Sequence, residues 1–218
     1  MSPDGFIHES VIDEATRSVL RKLADLPDVG GFYLAGGTAA ALQLGHRQSL
    51  DLDLFSERPW SPDRMAHVLG SVGDLQVDRA EPGTLIGTLD RVRLSLFKYD
   101  ALLLDELVIT DLRVPLAALR DIACMKLVAI AQRGSKKDFI DIYHLAAAGI
   151  GVRETLRMLP AKYPGVRYSP VHLARSLGYF DDAEAEPDPV MLVPYSWTRI
   201  REFALAESSS LIEQMADA

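Results

Sequence analysis

The sequence predicts an α/β (α+β) protein, a mixed sheet with helices in the first part of the chain and an all-helical C-terminal half. Two observations carry this reading. Short runs alternate apolar and polar residues up to about residue 97, and beyond Pro115 the apolar positions fall at helical spacing in segments closed by Gly134 and Gly149. A chain of 218 residues is long enough to bury a core in each part, so the expected division is an α/β domain over residues 1–114 and a helical domain over 115–218.

Residues 8–25 place Val11, Ile12, Ala15, Val19, Leu20 and Leu23 on one helical face, with Pro27 past the end, and predict a first helix. Residues 31–35 read as a short buried strand. Gly36-Gly37 reads as a tight turn, and residues 38–44 as a helix stopped by Gly45. Residues 50–55 alternate apolar and acidic, the period of a strand with Leu50, Leu52 and Leu54 on its packed face. After Pro59 and Pro62 come a helix over 62–70 and strands over 74–78, 84–89 and 91–97, the last two joined as a hairpin through Asp90. The second half then gives helices over 116–132 and 135–148, with Ser135 and Asp138 at capping-box spacing. Further helices are expected over 153–163, 170–178 and 196–215, with an acidic, proline-rich surface loop over 181–194.

Composition narrows the function classes. A formal net charge of -8 argues against a broad nucleic-acid footprint and leaves room only for a local one; Arg133, Lys136 and Lys137 make a small basic cluster of the kind that is usually solvated surface. No run approaches the roughly 18 apolar residues of a membrane span, and Met1 to Arg17 has neither a basic nor an apolar region of a leader, so no membrane association and a cytoplasmic location are expected. The single cysteine, Cys124, lies in an apolar helical pattern and reads as a small core residue. His46 reads as a surface-turn residue and His144 as a surface or half-buried structural one.

The chemistry-bearing residues cluster early. On a strand, Asp51 and Asp53 project from one face with Cα atoms roughly 6.5 to 7 Å apart. Two such carboxylates suit a hard divalent metal such as Mg²⁺ together with nucleotide phosphates. The competing reading is two solvated acids on an outward face. Gly36-Gly37, between a buried strand and a helix start, would let backbone N–H groups approach a phosphate, and Thr38 adds a hydroxyl there; alternatively the three make a plain turn with an N-cap.

The run Gly36-Gly37-Thr38, followed after a short helix by Arg47-Gln48-Ser49-Leu50-Asp51-Leu52-Asp53, resembles the first motif of the nucleotidyltransferase superfamily, and more closely that of the AbiEii/AbiGii toxin family. The segment from Asp121 to Asp141 is similar to that family's downstream helical motifs. The resemblance spans residues 30 to 150 and, more loosely, the C-terminal helices. It implies a minimal nucleotidyltransferase-type sheet and transfer of a nucleoside monophosphate from a nucleoside triphosphate to an acceptor hydroxyl. In some members that acceptor is a tRNA 3′ end, and the toxin has a cognate antitoxin. Carried over, Asp51 and Asp53 would bind Mg²⁺, Gly36, Gly37 and Thr38 would hold the triphosphate, Lys126 would contact phosphate with Arg133 and Lys137 beside it, and Asp138 would be the late acidic residue, ahead of Asp141. Without the resemblance, Lys126 would be read as snorkelling to solvent and Lys137 with Asp141 as a surface ion pair.

One departure stands out. The superfamily commonly supplies a third carboxylate from a neighbouring strand, and the run 91–97 offers Arg91, Arg93 and Ser95 on its polar face instead. A catalytically silent nucleotide- or partner-binding protein is therefore the alternative. A kinase-like phosphotransferase using the same pocket would release ADP rather than pyrophosphate.

Overall fold

The computed structural model describes residues 7–216, and the chain divides into two compact units. The first runs through Ala101 and takes in Asp105–Ala118; the second comprises Leu102–Leu104 and the chain from Leu119 onward.

The first unit starts with a 3₁₀ turn, Glu9–Val11, and helix α1, Glu14–Ala24. The single helix expected over 8–25 is thus broken in two. Asp13 adopts an extended backbone and its carboxylate accepts the Thr16 N–H at 2.8 Å, so α1 begins with its own cap rather than continuing the preceding turn. That backbone hydrogen bond holds the Asp13 carboxyl below its ordinary range.

Strand β1 (Tyr33–Leu34), helix α2 (Gly36–Leu44), strand β2 (Leu52–Ser56), helix α3 (Pro62–Gly70) and strands β3 (Leu75–Glu81), β4 (Thr84–Leu89) and β5 (Val92–Lys98) follow. They form a five-stranded mixed sheet in the order β1-β2-β5-β4-β3, with β2 and β5 parallel and the other pairs antiparallel. Its register aligns Leu52 with Leu94, Leu54 with Leu96, Leu96 with Leu85 and Val92 with Leu89, so one face is a continuous buried apolar layer. Helix α1 packs against β5, and α3 against β3 and β4. Leu50 does not join the layer. It precedes β2 and is 42% exposed, because the sheet pairing starts only at Leu52.

The hairpin through Asp90 is present. Asp90 and Arg91 have φ of 50° and 69°, the two positive values of a tight turn whose twist matches its strands. The Asp90 carboxylate accepts the Asp74 N–H at 3.0 Å and the Lys22 ammonium at 2.6 Å, which steadies these strained residues. Arg91 consequently belongs to the turn, not to the strand face where the alternation placed it.

The second unit holds α4 (Leu119–Gln132), α5 (Lys136–Ala147), α6 (Val152–Lys162), α7 (Pro170–Ser176), α8 (Asp181–Ala185) and α9 (Trp197–Ala216). Helix α4 starts later than expected because Leu116 bridges to Leu34 and Val108. The acidic loop begins with the short helix α8. Ser135 stands at the N-cap of α5, but the expected capping box does not form. The Ser135 hydroxyl donates to Glu186 Oε2 at 2.8 Å, the Lys136 N–H donates to the same oxygen at 2.9 Å, and the Asp138 carboxylate turns away to Lys126. A carboxylate about fifty residues downstream thus performs the cap. Lys136, itself buried, reaches the Glu186 carbonyl at 2.6 Å and Asp188 at 2.9 Å and lies over the Trp197 ring.

A fully buried ion pair joins α4 to α6. Lys162 Nζ lies 2.6 Å from Asp121 Oδ1 and also donates to the Leu102 carbonyl, while Asp121 accepts the Leu104 N–H at 2.9 Å. Residues 102–104 are thereby fixed to the helices. Cys124 sits nearby with no solvent exposure, its thiol facing the Thr155 carbonyl, and burial pushes that thiol up to about 12. A thiolate-specific colour reagent at pH 8 is therefore expected to leave Cys124 unmodified in the native protein and to titrate one thiol after denaturation. Among the described residues no helix is long and apolar enough to cross a membrane.

Candidate functional site

The turn between β1 and α2 and the start of β2 are built against each other. The Ala35 N–H donates to the Asp53 carbonyl at 3.0 Å, and α2 begins at Gly36 with no side-chain cap on its first N–H groups. Gly36 has φ +64°, and a Cβ there would stand 2.9 Å from Asp53 Oδ2. A Cβ on Gly37 would stand 2.5 Å from Arg47 Nη2. Gly36 is thus set by its left-handed backbone and by Asp53, and the missing side chain at Gly37 leaves room for the guanidinium packed against it. Replacing Gly36 by Ala is expected to cost about 1–2 kcal/mol for the left-handed backbone and to push Asp53 aside; denaturation curves would check the loss of stability.

Thr38, on the first turn of α2, was expected to offer its hydroxyl to a ligand. In the structure Thr38 is buried and its oxygen faces both the Asp51 carbonyl and Ser49 Oγ, the latter at 2.8 Å. A carbonyl only accepts, so the Thr38 hydroxyl donates to Asp51 and the Ser49 hydroxyl donates to Thr38. The side chain therefore fixes the backbone that carries the aspartates, and the open donors at this helix start are the backbone amides.

Asp51 lies just before β2 and is exposed; Asp53 lies within β2 and is half-buried. The β2–β5 register sets Ser95 directly beside Asp53. Ser95 is buried, whereas Arg93 is exposed and paired with Asp78 at 2.8 Å. No cluster of three or more His, Cys, Asp or Glu able to hold a metal occurs among the described residues. Two carboxylates still suit Mg²⁺, which needs only one or two from the protein when substrate phosphates supply the rest.

Arg47 and Ser49 are parts of this site to which spacing alone gave no role. Arg47 is only 2% exposed, donates to the Gln48 carbonyl at 3.1 Å and fills the space beside Gly37. A charged residue five positions before β2 looks solvated in sequence, and only the fold shows it buried. His46, expected on a surface turn, is fully buried, because Gly45 ends α2 in a left-handed conformation and turns the chain back inward.

The downstream motif forms a second cluster, within the helical unit. Lys126 Nζ on α4 lies 2.7 Å from Asp138 Oδ1 and 2.6 Å from Asp141 Oδ2 on α5, and all three are buried. Arg133, largely exposed, adds a contact of 3.1 Å to the other Asp138 oxygen. Lys126 thus meets anions of its own chain rather than snorkelling to solvent, and Asp141 pairs with it rather than forming the surface pair with Lys137, which is exposed.

Comparison with known proteins bears on the family and the fold. The family described as "Nucleotidyl transferase AbiEii toxin, Type IV TA system" matches residues 18–210. An uncharacterized protein of Aquifex aeolicus (strain VF5) is 37% identical over 191 residues, covering 86% of this chain and 91% of that protein. Among solved structures, the nucleotidyltransferase toxin MenT4 of Mycobacterium tuberculosis H37Rv superposes with a TM-score of 0.54 at 16% identity, over 89% of this chain and 82% of that one. A protein of H. pylori described as a nucleotidyltransferase gives 0.53 at 16% identity over 94% of both chains. The antibiotic-resistance factor ANT(2'')-Ia gives 0.50 at 16% identity over 68% of this chain and 91% of that one. At these identities the structural likenesses establish the fold.

Proposed function

The chain belongs to the AbiEii nucleotidyltransferase toxin family, and from that premise we propose that it transfers a nucleoside monophosphate from a nucleoside triphosphate to the 3′ end of tRNA, as the toxin of a toxin–antitoxin pair acting in the cytoplasm. The observation that carries the reading is the joint packing of Gly36 on Asp53 and Gly37 on Arg47, which sets an uncapped helix start beside two carboxylates.

Such a helix start binds phosphate through backbone N–H groups and the positive end of the helix dipole. Thr38 and Ser49 hold the Asp51 backbone, and Gly36 leaves room for the Asp53 carboxylate. Asp51 and Asp53 would hold Mg²⁺, which when bound neutralises charge on the triphosphate. The protein's own contribution is positioning of the α-phosphate for the incoming hydroxyl, with pyrophosphate as the leaving group. Arg133 and Lys137, exposed cations of the helical unit, would add phosphate contacts, and Lys126 with Asp138 would serve as the late motif pair. The expected partners are the triphosphate, a tRNA and a cognate antitoxin.

Incubation with each α-³²P-labelled triphosphate, Mg²⁺ and total tRNA tests this. Label on RNA with release of pyrophosphate supports it, and release of ADP would point to a kinase-like reaction instead. One observation favours a second reading. With Ser95 where a third acid would sit beside Asp53, the protein would bind nucleotide without turning it over. Calorimetric binding of a triphosphate with no label on any acceptor would decide for that reading.

A further inference from the structure

A pocket of about 440 Å³ lies at the opposite end of the β1–β2 pair from Gly36, lined by Gly31 and Phe32 before β1, Ser56 at the end of β2, Arg58 just beyond it, and Trp60. It has the size of a small-ligand site. Its walls combine two features. Phe32 and Trp60 meet edge to face with centroids 5.5 Å apart, and Arg58 and Arg64 both line the cavity. Trp60 also borders a neighbouring cavity of about 620 Å³, so the indole stands between two open spaces.

The electrostatics of the two cavities differ. In the first, Asp28 is matched by Arg64 at 2.7 Å, whereas Arg58 is exposed and forms no ion pair among the described residues, leaving a net cation. The second is bordered by Asp63, Glu81 and Asp100 against Lys98 alone, which repels phosphate. An aromatic face beside an unpaired guanidinium is the usual receptor for a single-stranded nucleotide, with the base stacked and the phosphate paired. The position also fits. Ser56 is three residues beyond Asp53 on β2, about 10 Å along the strand, a separation suited to an upstream nucleotide of a strand whose 3′ end lies at Asp53.

We propose that the cavity formed by Phe32, Arg58 and Trp60 holds a nucleotide just upstream of the 3′ end of the RNA acceptor, its base on Trp60 and its phosphate on Arg58. The proposal rests on the transferase reading above, and the test separates the two. The chain has two tryptophans, so Trp197→Phe protein leaves Trp60 as the only reporter. Titrating it with a single-stranded RNA decamer is expected to quench the fluorescence saturably, with Arg58→Glu weakening the apparent affinity tenfold or more. Arg167→Glu, an equal charge change at an exposed site of the helical unit, should leave it within twofold. Triphosphate binding, measured by calorimetry, should be unchanged in Arg58→Glu, and its KM for RNA in the transfer assay should rise while kcat holds. Saturable quenching without any transfer to RNA would keep the subsite and remove the transferase reading. Three outcomes would overturn the proposal: no quenching by RNA, equal weakening by the two charge reversals, or quenching by free triphosphate that RNA does not compete with.

Discussion

Asp53→Asn protein is expected to lose transfer activity by at least about 10²–10³-fold, the range that removal of one preorganised electrostatic group costs an enzyme. The loss should fall on kcat, with the triphosphate still bound, because the backbone amides at the start of α2 are untouched. Asn keeps the size of the side chain, so the close contact with Gly36 survives and the fold should be unaffected. Single-turnover transfer of labelled nucleotide, alongside calorimetric binding, would check both halves of the statement. A variant as active as the native protein would remove Asp53 from the chemistry and leave the packing on Gly36 as a purely structural contact.

Lys126→Met is expected to unfold the helical unit more easily, by about 3–5 kcal/mol, the cost of breaking a buried ion pair from one side. Asp138 and Asp141 would be left buried with their shared cation gone, and Arg133, which reaches Asp138, lies mostly in solvent. Urea denaturation followed by circular dichroism would measure the effect. The double change Lys126→Met with Asp141→Leu should recover part of the loss, since it removes one of the two buried carboxylates that have lost Lys126 and leaves Asp138, which Arg133 still reaches. If instead Lys126→Met leaves stability intact and abolishes triphosphate binding, the ammonium serves the ligand and not its own chain's carboxylates.

The parts of the molecule legible in the sequence are those governed by neighbours along the chain. The alternation of leucines at 52, 54, 94 and 96 marks β2 and β5, and Asp90 marks the hairpin turn, because period and turn chemistry are local properties. Glycines 36 and 37 and the two aspartates were also visible, since their spacing is itself the signal. What the sequence concealed depends on distant partners. The break at Asp13 was hidden because apolar spacing runs straight through it, while the cap is a single side-chain choice. Ser135 matched a capping pattern, yet Glu186 took its hydroxyl from fifty-one positions away. In sequence His46 reads as a surface-turn residue and Arg47 carries no role of its own, because polarity is the only information available about them; their burial follows from how α2 and the loop before β2 close on one another. Lys126 and Asp138 were both singled out as ligand-facing groups, and their meeting across α4 and α5 at 2.7 Å emerges only from helix packing.

The interleaving of the two units bears on how such a chain can be recombined. Leu102–Leu104 belong with the helices, held by Asp121 and Lys162, yet Asp105–Ala118, which come after them, belong with the sheet, where Leu116 bridges to Leu34. No single crossover point can therefore separate one intact unit from the other. A chimaera that swaps the helical unit between relatives must exchange residues 102–104 along with it, through two junctions. A gene fusion or truncation with one junction leaves either a sheet lacking its β1 bridge or a helical unit whose buried lysine has lost a backbone acceptor.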